Sequence, residues 1–233
     1  MKTALIDYGA GNLHSVHKAL LVAGFDVVLT ADPAVAADAA VLVLPGQGHF
    51  RQVMEAFLSS GFEPVVRAHL AARKPFLGIC VGLQLLMQAS EEAPGVPGLG
   101  VLQGEVKRFP AGVSVPQMGW NQLSPHGRPP LLNGVPDGAF VYFANSYYVE
   151  FTTDLPDATT GGLPDATTGG LPGATTEYGG VTFESAVCDG PLNAVQFHPE
   201  KSQKVGLRVL KNFYQSVQDS VQDGVQAPLE AHK

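Results

Sequence analysis

A chain of 233 residues, 45% of them hydrophobic, holds enough apolar material for one sizeable core, so a single domain over residues 1–217 is expected. A formal net charge of -7 argues against a nucleic-acid binder, which needs a basic face, and no apolar run approaches the roughly 20 residues that span a bilayer. With no signal-peptide pattern at Met1-Lys2-Thr3 and its two cysteines outside any disulfide or metal-ligand spacing, the chain reads as a cytoplasmic protein without a metal or cofactor.

Thr3–Tyr8 reads as the first strand, Gly9-Ala10-Gly11-Asn12 as a tight turn, and Leu13–Ala23 as a helix ended by Gly24. The turn begins like a dinucleotide fingerprint, but His14 stands where the third glycine would be. Strands follow at Phe25–Leu29 and Val41–Leu44 around a short helix, Ala34–Ala39; helices follow at Phe50–Ser59 and Pro64–Ala72. Pro75–Ile79 is a buried strand running into a helix from Val81 to about Ala89. Strands alternating with helices predict an α/β fold, a mainly parallel open sheet covered by helices on both faces. Beyond Glu92 the texture shifts to Gly, Pro and short β-like runs. Val101–Phe109, Val113–Val115, Trp120–Leu123 and Ala139–Val149 suggest a mixed or antiparallel extension. Residues 155–176 repeat Leu-Pro-Asp-Ala-Thr-Thr-Gly-Gly, too short and polar a unit for a solenoid, and read as a low-complexity surface loop. Strands Val181–Val187 and Leu192–Phe197 and a helix, Lys204–Val217, close the domain, and 218–233 reads as a frayed tail.

The chemistry concentrates at Gly78-Ile79-Cys80-Val81-Gly82, where a strand turns into a helix. This is the Gly-x-nucleophile-x-Gly elbow with cysteine as nucleophile. A strained corner needs neighbours without Cβ atoms, and the start of a helix favours an anionic sulfur. His198, at the end of a strand where open α/β sheets build their sites, supplies a base, and Glu200 can orient its other nitrogen. Pro45-Gly46-Gln47-Gly48 follows the third strand; glycines on both sides of Gln47 let backbone N–H groups be aimed as an oxyanion hole requires. Cys188 reads as structural.

Together these three motifs resemble the triad-type, class I glutamine amidotransferases. Pro116-Gln117-Met118-Gly119-Trp120-Asn121, Tyr142-Phe143-Ala144-Asn145-Ser146-Tyr147-Tyr148 and His198-Pro199-Glu200-Lys201-Ser202 resemble the branch that serves imidazole glycerol phosphate synthases in histidine biosynthesis. The resemblance implies that Cys80, His198 and Glu200 hydrolyse L-glutamine through a thioester, with Gly46, Gln47, Gly48 and Val81 around the oxyanion and Gln84, Ser146 and Tyr147 at the substrate. It implies a heterodimer in which Met118, Trp120, Asn121 and Lys201 face a (β/α)8-barrel synthase subunit that receives the ammonia. Gln47, Gln117 and Asn145 depart from the family's usual Val, His and His. The rival readings are a glutaminase subunit serving another acceptor and a stand-alone Cys-His hydrolase.

Overall fold

The computed structural model describes residues 1–152 and 171–226, with side chains to Ser220. Five parallel strands form one half of a mixed sheet: β1 (Lys2–Ile6), β2 (Asp26–Thr30), β3 (Val41–Gly46), β4 (Phe76–Cys80) and β12 (Leu192–Val195), in the order β2-β1-β3-β4-β12. Every residue of β3, β4 and β12 is buried, the signature of strands covered on both faces. The chain steps from β1 outward to β2, then back across β1 to β3. Right-handed crossovers therefore place the first helix, α1 (Leu13–Ala23), on the face opposite α2 (Pro33–Ala37), α3 (Phe50–Ser59) and α4 (Phe62–Ala71). The last helix, α6 (Gln203–Gln226), packs on α1, and Phe25 closes the seam with ring centroids 5.6 Å from Phe213 and 5.0 Å from Tyr214.

Antiparallel pairing carries the sheet onward through β11 (Val181–Asp189), β10 (Gly173–Tyr178), β7 (Gln117–His126) and β8 (Ala139–Asn145). Short β5 (Ala89–Ser90), β6 (Gly104–Arg108) and β9 (Tyr147–Phe151) branch from β11. Buried residues alternate along β8, as expected where one face is open.

Four local expectations are corrected. The elbow helix, α5, spans only Val81–Gln84 instead of reaching Ala89. Its would-be continuation loses its carbonyls: Leu85, Leu86, Met87 and Gln88 accept from the backbone N–H groups of Leu99, Val101, Gly100 and Gly98. A Cβ at Gly98 would collide with the Met87 carbonyl, so glycine permits this approach. The strand expected over Ala139–Val149 is two strands that part at Ser146. Val113–Val115 is not a strand. Finally, the end of the repeat is no surface loop: Gly173–Thr176 belongs to β10, in which Gly173–Thr175 pair on both sides, and Ala174 and Thr176 are buried. The earlier repeat residues, 155–170, lie outside the described residues, as do 227–233 of the expected tail; α6 itself continues past Val217.

Candidate active site

Strands β3, β4 and β12 end level with one another. Gly46 pairs with Cys80, and Val195 with Ile79, so the residues that follow Val195 converge on the Cys80 corner. Cys80 sits at φ 54°, ψ -111°, a conformation costly for a side-chain-bearing residue. The surroundings hold it there. A Cβ on Gly82 would collide with the Leu44 carbonyl, one on Gly46 would stand 2.7 Å from the Gly82 nitrogen, and one on Gly78 would stand 3.1 Å from the Gly82 carbonyl. Three glycines thus let β3, β4 and α5 close on one another, and the corner is their product.

His198 follows β12 and is clamped by β8. Its N–H donates to the Tyr142 carbonyl (2.9 Å); its own carbonyl accepts from Ser202 Oγ (2.7 Å), which in turn accepts from the Tyr142 N–H (2.9 Å). Nδ1 lies 2.8 Å from Glu200 Oε1, with both side chains almost wholly buried. The other nitrogen, Nε2, is buried with no hydrogen-bond partner among the described residues, and Cys80 lies near enough for its charge to act on the imidazole. Burial lowers the His198 pKa, but the Cys80 and Glu200 interactions outweigh it and push the value up to about 10. At neutral pH the imidazolium is the favoured form, and the pair holds a proton ready for a leaving group.

Around this centre, Gln47 and Gly48 are exposed just beyond β3, with Gly48 at φ 121°. Val81 opens α5, so its N–H belongs to the first turn, where helical donors lack intrahelical partners. Tyr8, missed in the sequence, donates its hydroxyl to the Pro45 carbonyl (2.6 Å) and braces that loop from behind; burial, and next the Cys80 charge, raise its pKa. Gln84 is buried rather than on a helix surface, donating to Gln196 Oε1 (3.0 Å) and the Tyr147 carbonyl (3.3 Å). Ser146 lies at the parting of β8 and β9. Gln196 was also missed, though an amide residue inside the largely apolar stretch Leu192–Phe197 is a readable signal for a paired amide. Gln117 and Asn145, two of the departures from the family pattern, are register partners on β7 and β8, and both are buried.

Of the residues expected to face a partner, Met118 and Trp120 share an exposed surface with Phe140. Met118 is 68% exposed, Trp120 45% and Phe140 52%. Tyr142 lies under them, 6.0 Å from the Trp120 ring and 5.7 Å from Lys201 Nζ. Asn121 instead donates to the Glu177 carbonyl (2.8 Å), a tie within the sheet. Trp120 and Phe140 also line a hollow of about 400 Å³ with Ser202 and Lys204. A larger hollow, about 500 Å³, lies against Pro75 and Pro191 at the opposite ends of β4 and β12, away from Cys80. Among the described residues no cluster of His, Cys, Asp and Glu could hold a metal, and no helix is long and apolar enough to cross a membrane.

Comparison with known proteins agrees with this geometry. Residues 4–217 match the family model described as glutamine amidotransferase class-I. The chain is 50% identical over 211 residues to imidazole glycerol phosphate synthase subunit HisH of Deinococcus radiodurans, covering 90% of this chain and 91% of that one. The subunits of the same name from Thermus thermophilus (51% identity; 90% and 95% covered) and Geobacter sulfurreducens (47%; 91% and 97%) are similar to it as well. Among solved structures, a glutamine amidotransferase superposes with a TM-score of 0.66 at 18% identity, covering 92% and 98% of the chains. The glutaminase domain of Trypanosoma brucei CTPS, with acivicin bound, superposes at 0.63 and 15%, covering 94% of each. With its Cys80 elbow and His198–Glu200 pair in place, the chain belongs to the class-I glutamine amidotransferase family.

Proposed function

We propose that this chain is the glutaminase subunit of an imidazole glycerol phosphate synthase, releasing ammonia from L-glutamine for a (β/α)8-barrel synthase subunit in the cytoplasm. The observation that carries the reading is the Cys80 corner, strained at φ 54° and facing a buried His198–Glu200 pair. The Cys80 sulfur attacks the side-chain amide carbon. N–H groups of Val81 and the Gly46-Gln47-Gly48 loop take the oxyanion, and His198 gives its proton to the departing nitrogen, so ammonia leaves and a thioester remains. His198 then accepts a proton from the water that attacks the thioester, and glutamate and the thiolate are restored. Gln84, Ser146 and Tyr147 bind the substrate. Met118 and Trp120, exposed beside the His198 clamp, and half-buried Lys201 face the partner.

The oxyanion loop supplies a control point. The Gln47 peptide lies between two glycines, so rotating it between aiming a carbonyl and aiming an N–H meets little steric resistance. One missing oxyanion donor costs on the order of 100-fold to 1,000-fold in rate. Glutamine turnover measured for the chain alone, with the barrel partner, and with partner plus acceptor ligand tests the assignment. A rise of about 100-fold only in the last supports it; equal steady turnover in all three makes the chain a stand-alone hydrolase instead.

A further inference from the structure

Strand β12 is buried through Val195, and the next residue, Gln196, has no exposed surface at all. Its amide nitrogen lies 3.6 Å from Cys80 Sγ, and its oxygen accepts from Gln84 Nε2 at 3.0 Å. Which end of each amide points where is fixed by a backbone group. The Tyr147 carbonyl can only accept, and Gln84 Nε2 donates to it at 3.3 Å. The second hydrogen of that nitrogen then requires the oxygen of Gln196, which leaves the Gln196 nitrogen toward the sulfur. An amide nitrogen cannot accept, so the sulfur is the acceptor in that contact. Asn145 Nδ2 donates to the same Tyr147 carbonyl at 2.9 Å and holds the anchor from the β8 side.

Building on the assignment of Cys80 as nucleophile, we propose that Gln196 orients and stabilises the Cys80 thiolate by donating an N–H to it, with Gln84 a positioning residue that sets the direction of the Gln196 amide. The brevity of α5 gives this donor its task. A helix macrodipole is the sum of aligned peptide units, and α5 contributes a single turn, Val81–Gln84, so little field reaches the sulfur from it. A hydrogen bond to an ionised group is strong in a site closed to water, and the amide chain supplies one at a fixed distance. Gln84 therefore has a role at the nucleophile in addition to its place at the substrate, and the line from Tyr147 through Gln84 and Gln196 joins β9 to the reacting atom.

The test is alkylation of the free, full-length chain by iodoacetamide across pH 5 to 10, with Cys80 labelling read by peptide mass spectrometry. No substrate takes part, and buried Cys188 serves as the internal control. Gln196→Met keeps the volume and removes the donor; the pH of half-maximal labelling should rise by about one unit, as expected for losing a hydrogen bond to a charged group. In the complex, kcat should fall about tenfold with KM near the parent value. Gln84→Met should move the labelling midpoint in the same direction by less, and should add nothing to Gln196→Met, because both act through one contact. A midpoint equal to the parent's in folded Gln196→Met, or additive effects of the two changes, overturns the proposal. If Gln196→Met does not fold, Gln84→Met decides: an unshifted midpoint overturns the proposal and a raised one upholds it. Cys80→Ala separates the two levels of inference. Surviving glutamine hydrolysis there would refute the proposed function itself, whereas its loss beside a normal Gln196→Met profile would refute only the role of Gln196.

Discussion

Cys80 and Cys188 are about equally buried, 3% and 5% exposed, and lie on neighbouring stretches of the same sheet, β4 and the β11 strand beside β12. Cys188 is in regular strand pairing with Asn193, and burial alone pushes its thiol up to about 12, so it stays protonated and inert. Cys80 has a left-handed backbone, an amide N–H on its sulfur, and a buried imidazole whose pKa its own charge helps to raise. Burial excludes water in both places. The two thiols differ in whether the excluded water is replaced by fixed donors and an opposite charge, the difference expected between a structural thiol and a nucleophile.

The contrast fails outright if Cys80→Ala retains glutamine hydrolysis. The expected loss is about 1,000-fold or more in glutamine turnover, while synthesis fed by free ammonium in the complex survives. Next in size is Gly82→Ala, whose new methyl would strike the Leu44 carbonyl and force the corner open. It should cost about 3 kcal/mol in denaturant unfolding, at the upper end for overpacking. An unchanged midpoint would mean that the corner yields easily.

Glu200→Gln sharpens the electrostatic side. It removes one of the two charges that hold the His198 pKa near 10, so the alkaline limb of glutamine hydrolysis should move to lower pH. The sign for stability follows from the same raised value. The proton on folded His198 stabilises fully below its ordinary pKa of 6.5, and that contribution is lost as pH rises through about 10. The melting temperature of the parent should therefore sag between pH 6.5 and 10, and that of Glu200→Gln should sag less. The smallest effect belongs to Cys188→Ala: about 1 kcal/mol of stability from a small cavity, no change in turnover, and a flatter stability profile above pH 9, where the parent's buried thiol resists ionisation.

The parallel half of the fold was readable because each element carries its own signal. Continuous apolar runs mark β3 and β4, Gly24 stops α1, and Gly78 and Gly82 flank Cys80. The His198–Glu200 contact was readable for the same reason, since the two residues are two positions apart. The elbow helix was not. Leu85-Leu86-Met87 satisfies a helical pattern, and only the backbone of Gly98 to Val101, arriving from a distant loop, claims the carbonyls that would have continued it.

The same limit applies to the repeat. Ala174-Thr175-Thr176 has the letters of Ala158-Thr159-Thr160, so nothing local distinguishes it. It is a buried strand because β7 and β11 stand on either side with unpaired edges, and because Gly173 lets the Ala186 carbonyl approach. By itself the sequence determined the mainly parallel half of the sheet, the strained corner at Cys80 and the nearness of Glu200 to His198, because strand period, glycine placement and short spacing are local properties. Only the tertiary structure decided where the elbow helix stops, which repeat becomes a strand, and which amide faces the sulfur, because each depends on a backbone N–H, carbonyl or strand edge supplied from outside the segment itself.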